Sequence, residues 1–156
     1  EVMNKEEAII YATKFTEDIL SFFGLNVAVN STCEDEVIEL SIPSTEANAI
    51  LIGRDADNLR ALQSLISANL RLKDSVIYRV NLDIADYKKH KNDKLIERAE
   101  KWIERVRQTG QDYVVNLSPA DRRIVHKLAQ DYSTIETHSE GEGSERRLII
   151  SRVKEN

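Results

Sequence analysis

The sequence predicts an α+β protein made of two small consecutive units, with the element order α-β-β-α-α-β in the first and α-β-α-β-β in the second. Three observations predict it. Apolar residues recur at helical spacing in some stretches and alternate strictly with polar ones in others. A strand gives way to a charged helix near Ala85. Neither a repeat nor a low-complexity linker interrupts the 156 residues. Residues 1–84 and 85–156 then form two units, each near the lower size limit for a core of its own.

Ala8, Ala12, Phe15, Ile19 and Phe22 recur every three or four residues, one apolar helix face stopped by Gly24. Leu25, Val27 and Val29 alternate with polar or small neighbours, which predicts a first strand. Cys33 to Asp35 is a polar turn, and Ile38, Leu40 and Ile42 make the second strand. Pro43 ends it, and Ser44 or Thr45 is placed to cap a short helix over 47–52. Gly53-Arg54-Asp55-Ala56 interrupts that helix. Asp57 is placed to cap the next one, whose stripe is Leu59, Leu62, Ile66 and Leu70. Val76, Tyr78, Val80, Leu82 and Ile84 then give the clearest strand.

In the second unit Asp86 opens a long charged helix with Leu95, Ala99, Trp102, Ile103 and Val106 on its apolar face, stopped by Gly110. A short strand covers 114–117. Ser118-Pro119-Ala120-Asp121 reads as a helix start, with Ser as N-cap and Pro at the first position. Ile124, Val125, Leu128, Ala129 and Tyr132 face inward. Strands follow over 133–138 and 147–153, joined by a flexible Ser139–Glu145 connection.

Composition limits the function. No stretch reaches the roughly 20 apolar residues of a membrane span, and no basic, apolar leader opens the chain. It starts at Glu1 without a methionine, so a longer parent is expected. The single Cys33 excludes an internal disulfide and fits a reducing compartment, so the expected location is the cytoplasm. The net charge of −5 is unevenly spread. Residues 1–52 hold 2 basic and 10 acidic side chains, residues 53–112 hold 13 and 10, and residues 113–156 hold 7 and 7. Affinity for phosphate follows the local field, so this distribution permits a basic face.

Two places carry candidate chemistry. Gly53 permits close backbone approach at a helix start and Arg54 supplies a cation, a combination suited to phosphate. Asp55 repels phosphate, and the Ala56 methyl is expected to narrow the approach. Arg122 and His126 lie four apart on one helix face, which is expected to be exposed opposite the apolar stripe. Arginine can grip phosphate in a fork, and histidine can donate to it or stack on a base. Lys88, Lys89, Lys91 and Lys94 form a basic run, read first as a solvated helix face. No metal-ligand spacing, nucleophile elbow or phosphate loop is present, so catalytic residues, metal and cofactors are all expected to be none.

The order α-β-β-α-α-β with Gly53–Ala56 between the paired helices resembles a type II KH domain, whose Gly-x-x-Gly loop clamps unpaired nucleotides. Asp121-Arg122-Arg123-Ile124-Val125-His126, then Ser139-Glu140-Gly141-Glu142-Gly143 and Arg146-Arg147, resemble the R-three-H domain. With Leu82–Tyr87 at the junction, the pair resembles the Jag family of bacterial proteins, also called KhpB. That family has a further N-terminal domain which is not among these residues. The resemblance implies binding of single-stranded RNA or DNA in a post-transcriptional or RNA-chaperone role. It implies a site of Arg122, His126, Arg123, Arg146, Arg147, Gly141 and Gly143, with Gly53 and Arg54 as a weaker clamp. It implies no membrane insertion and no small-molecule substrate. The alternative is a protein-interaction module in which the KH half pairs with another KH protein or with itself.

Overall fold

The computed structural model describes residues 2–154. The chain divides into two units, the first ending at Tyr87 and the second beginning at Lys88. The first holds 7 basic and 15 acidic residues, the second 15 and 12, so all the negative excess lies in the first.

In the first unit α1 spans Lys5–Phe22 and opens with a capping box, Asn4 and Glu7 each accepting from the other's backbone N–H. Its buried row is Ala8, Ala12, Thr16 and Leu20, four residues apart. Thr16 is tolerated there because its hydroxyl donates to the Ala12 carbonyl at 2.7 Å. Phe22 stands 89% exposed, off the face that spacing assigned it.

The sheet runs β1 (Asn30–Glu34), β2 (Val37–Ile42), β3 (Arg79–Ile84), in that spatial order. The first strand therefore begins at Asn30, directly after the Leu25–Val29 alternation. Leu25 and Val29 are buried, but as the connection entering the sheet. The hairpin turn is Asp35-Glu36, with φ of 46° and 60° at the two residues. That geometry normally advertises itself with Asn-Gly or Asp-Gly; without the glycine, the polar edge strand read as loop. β2 and β3 are parallel, and α2 (Asn48–Ile52) with α3 (Asp57–Leu72) supplies the crossover. No side chain caps α2 directly; Thr45 Oγ1 accepts from Ala47 N, just before the helix. β3 begins at Arg79 rather than Val76, because parity breaks before it. Ile77 is buried while Val76 and Tyr78 are exposed. Val76 N donates to the Met3 carbonyl and Met3 N to the Asp74 carbonyl, which draws this segment toward the N-terminus.

α4 spans Tyr87–Thr109, all but its first residue in the second unit, and α5 spans Pro119–Ala129. The sheet order is β4 (Tyr113–Val115), β6 (Arg147–Arg152), β5 (Ile135–Glu140), antiparallel throughout. β6 is central, and Leu148 to Ser151 are all buried. Leu148 and Ile150 join Leu95, Ala99, Trp102, Ile103 and Val106 of α4 and Val125 and Ala129 of α5 in one core. Trp102 stacks on Tyr113 with ring centres 5.3 Å apart. β5 runs on to Glu140, and residues 143–145 form a 3₁₀ turn where a loose connection was expected.

Candidate nucleic-acid interface

α5 begins where the sequence says it should. The Ser118 hydroxyl accepts from Asp121 N at 3.1 Å, and Pro119 occupies the first position, where no N–H is needed. From that start the row of residues four apart passes through Arg122 and His126. This row borders the buried Val125–Ala129 row and looks down on β5, so both side chains are half-buried rather than exposed. β5 turns Ile135, Thr137 and Ser139 toward the helix; the first is buried and the two hydroxyls come where the apolar core runs out.

Arg122 is held in place. Its Nη1 donates to the Leu117 carbonyl at 2.7 Å and to the Arg146 carbonyl at 3.2 Å. One guanidinium nitrogen thus ties the segment entering α5 to the start of β6. Arg146 in turn reaches the Gly141 carbonyl at 3.4 Å. Gly141 has φ of 91°, and a Cβ there would sit 2.9 Å from the Glu145 carbonyl oxygen, so only glycine lets the chain close this bend.

His126 bridges α5 and β5. Nδ1 lies 2.6 Å from Thr137 Oγ1 and Nε2 3.3 Å from Ser139 Oγ. Its pKa is lowered below the ordinary 6.5, chiefly by burial, then by the Arg122 charge and then by His138. The ring is neutral at pH 7 and contributes hydrogen bonds rather than charge. The two hydroxyls escaped the sequence reading. The signal was the parity of β5, which sets positions 135, 137 and 139 on one face.

The structure brings together Arg122, His126, Arg146 and Gly141. Arg123 is exposed on the adjoining row of α5. Arg147 is on the opposite face of the sheet, since Leu148 next to it points into the core. It pairs in register with Glu140 and lines an open groove of about 500 Å³ with Val114, Asn116 and Glu145. Gly143 has open space around it, but exposed Glu140, Glu142 and Glu145 crowd this loop with negative charge. Arg146 and Arg147, adjacent in sequence, therefore serve different surfaces.

In the first unit Gly53 has φ of 75° and ψ of 177°, a region that is nearly glycine's alone. Arg54 and Asp55 are exposed. Ala56, with φ of 62°, is 7% exposed, its methyl in the core instead of over the loop surface. The methyl does not narrow the approach, as its sequence position suggested. Asp55 remains the obstacle.

Among the described residues no three His, Cys, Asp or Glu side chains gather to hold a metal, and no helix is long and apolar enough to cross a membrane.

Residues 93–152 match the R-three-H domain family. The second unit holds an R-three-H domain over these residues, as the resemblance of its motifs implied. Beyond that domain, the chain is similar to the bacterial KhpB (Jag) proteins. It is 29% identical over 150 residues to "RNA-binding protein KhpB" of Clostridium symbiosum, covering 93% of this chain and 66% of that protein. With its Bacillus subtilis counterpart it is 30% identical over 112 residues, 70% of this chain and 54% of that protein. The chain thus spans between about half and two thirds of the length of these relatives. A 76-residue stretch is also 30% identical to ribonuclease Y of Borreliella burgdorferi, covering 47% of this chain and 15% of that enzyme.

Proposed function

We propose that this chain binds single-stranded nucleic acid, RNA before DNA, through the corner of the second unit where α5 crosses β5. The observation that carries the reading is Arg122. It is a half-buried arginine in the motif of an R-three-H domain, anchored through one nitrogen by two backbone carbonyls and so oriented before any ligand arrives. Arg123 and Arg146 add cations beside it. The name of the KhpB relatives, RNA-binding protein, supports RNA as the ligand. A role in post-transcriptional regulation or as an RNA chaperone follows, in the cytoplasm, with no cofactor and no small-molecule substrate. No enzyme reading is carried over from ribonuclease Y, because the likeness covers only 15% of that protein. Gly141, Gly143 and Arg147 line a margin rich in carboxylates and are assigned a lesser part.

The first unit is proposed to be a type II KH domain. Its element order and its helix–Gly53–helix turn support that. A protein-pairing role for it has its own observation: Phe23, Ile50 and Leu65 are exposed beside one another, bordering a groove near the Gly53 loop, on a unit of net charge −8. Partners that survive nuclease treatment in copurification support pairing; partners lost with the RNA argue against it.

Fluorescence anisotropy with labelled oligouridine, the same DNA sequence, and a duplex of equal length tests the main reading. Tighter binding to the single strand, weakening as salt rises, is expected. Equal or tighter binding to the duplex would overturn it.

A further inference from the structure

We propose that Arg122 and His126 play different parts: Arg122 meets the phosphate, and His126 is a positioning residue that uses both ring nitrogens to hold α5 on the hydroxyls of β5. This rests on the proposed function and assigns roles within that site.

A neutral imidazole offers one N–H donor and one acceptor lone pair. Two hydroxyls face it, Thr137 at Nδ1 and Ser139 at Nε2, and each hydroxyl can donate or accept. Donor and acceptor are therefore both satisfied inside the protein. A phosphate oxygen can reach the ring only by displacing one of these hydroxyls. It would also meet an uncharged group, because burial and the neighbouring Arg122 hold His126 neutral.

Arg122 presents the opposite inventory. A guanidinium carries five N–H donors. Only Nη1 is engaged, by Leu117 and Arg146. Nη2 and Nε have no hydrogen-bond partner among the described residues, and together they form the fork that grips a phosphate. The fork's height above β5 depends on where α5 sits. One helical turn further on, that is fixed by the 2.6 Å contact between His126 and Thr137. Thr137 thereby becomes part of the binding apparatus without touching ligand.

The test uses the full chain and oligouridine. His126→Gln, Thr137→Val, Thr137→Ser and the double His126→Gln/Thr137→Val are compared by affinity, by melting temperature, and by the ¹⁵N resonances of the imidazole. A strut predicts that Thr137→Val weakens binding as much as His126→Gln, by between about two- and tenfold, the range of one hydrogen bond. The double variant should be no worse than the worse single, and Thr137→Ser, which keeps the hydroxyl, should bind as the original does. The ring nitrogens should hold one neutral tautomer with and without RNA. Normal binding by Thr137→Val beside a defective His126→Gln would overturn the proposal. So would a His126 nitrogen that shifts or protonates when RNA is added. If the unmodified protein does not bind oligouridine at all, the proposed function fails. The strut is then judged by melting temperature alone: coupled losses at 126 and 137 support it, and additive ones refute it.

Discussion

Two corners of this molecule combine a glycine-dependent turn, an arginine and the start of a helix, and they differ in what holds the arginine. At Gly53–Ala56 the Arg54 side chain is exposed, makes no hydrogen bond or ion pair among the described residues, and stands beside the Asp55 carboxylate. At the second corner Arg122 is fixed by two carbonyls, one of them from Arg146, whose own side chain closes back on Gly141. The same residue types yield an unanchored cation in one place and an oriented donor in the other. A fixed donor loses less conformational entropy on binding, which is why the ligand is proposed to sit at the second corner even though the first has the more familiar loop.

The sharpest way to break this comparison is to remove each arginine in turn. Arg122→Ala should lower affinity for oligouridine by at least about tenfold, the worth of a charged hydrogen-bond donor. It should also destabilise the fold by about 1–3 kcal/mol, because the Leu117 and Arg146 carbonyls lose their partner. Arg54→Ala should change affinity by less than about threefold and stability hardly at all, as exposed charges do. Titration and thermal denaturation of both variants check this; a reversed order would place the site in the first unit.

The glycines sharpen the same contrast. Gly141→Ala adds a Cβ 2.9 Å from the fixed Glu145 backbone oxygen, at a φ of 91°. At Gly53 the added Cβ would lie 2.7–2.9 Å from the Asn58 side chain, whose own Cβ is fixed by the α3 backbone and whose amide donates to the Ile50 carbonyl, at a φ of 75°. Each substitution should cost on the order of 1–3 kcal/mol in backbone strain. Only Gly141→Ala should also weaken RNA binding, because only it disturbs the carbonyl that receives Arg146.

Most of the architecture was legible. The element order was readable because helices and strands keep different periods, and the α4 face was readable residue by residue because Leu95 to Val106 all enter one core. The Arg122–His126 pair stood out through the resemblance of the residues around it, not by its spacing alone. Its surroundings in space did not. Half-burial depended on where β5 passes beneath α5, a tertiary fact that spacing within one helix cannot carry. The split between Arg146 and Arg147 required knowing that Leu148 points inward. β1 was misplaced because an edge strand with one half-buried face has little apolar signal, and because its Asp35-Glu36 turn lacks the expected glycine.

A pH series probes the buried histidine. Because the folded pKa of His126 lies below that of the unfolded chain, unfolding takes up a proton once the pH falls below about 6.5. The stability is complete above that value, declines as the pH falls beneath it, and is fully lost below the folded pKa. Between about pH 7.5 and 5.5, the melting temperature of the unmodified protein should fall more than that of His126→Gln. Parallel curves would remove the buried neutral histidine from the account.

The smallest effect belongs to the first corner. Asp55→Lys removes a repelling carboxylate and adds a cation, yet it should raise affinity by less than about threefold if the strand does not run past this loop. Ala56→Gly should bring no gain, because the methyl it deletes is in the core.

The most direct test maps where RNA touches. Amide resonances of the full chain are followed while single-stranded oligouridine is added. Shifts should concentrate at residues 117–127 and 137–146, with little change at 53–56. Shifts centred on Gly53–Ala56, with the α5–β5 corner silent, would contradict the assignment of the interface to Arg122.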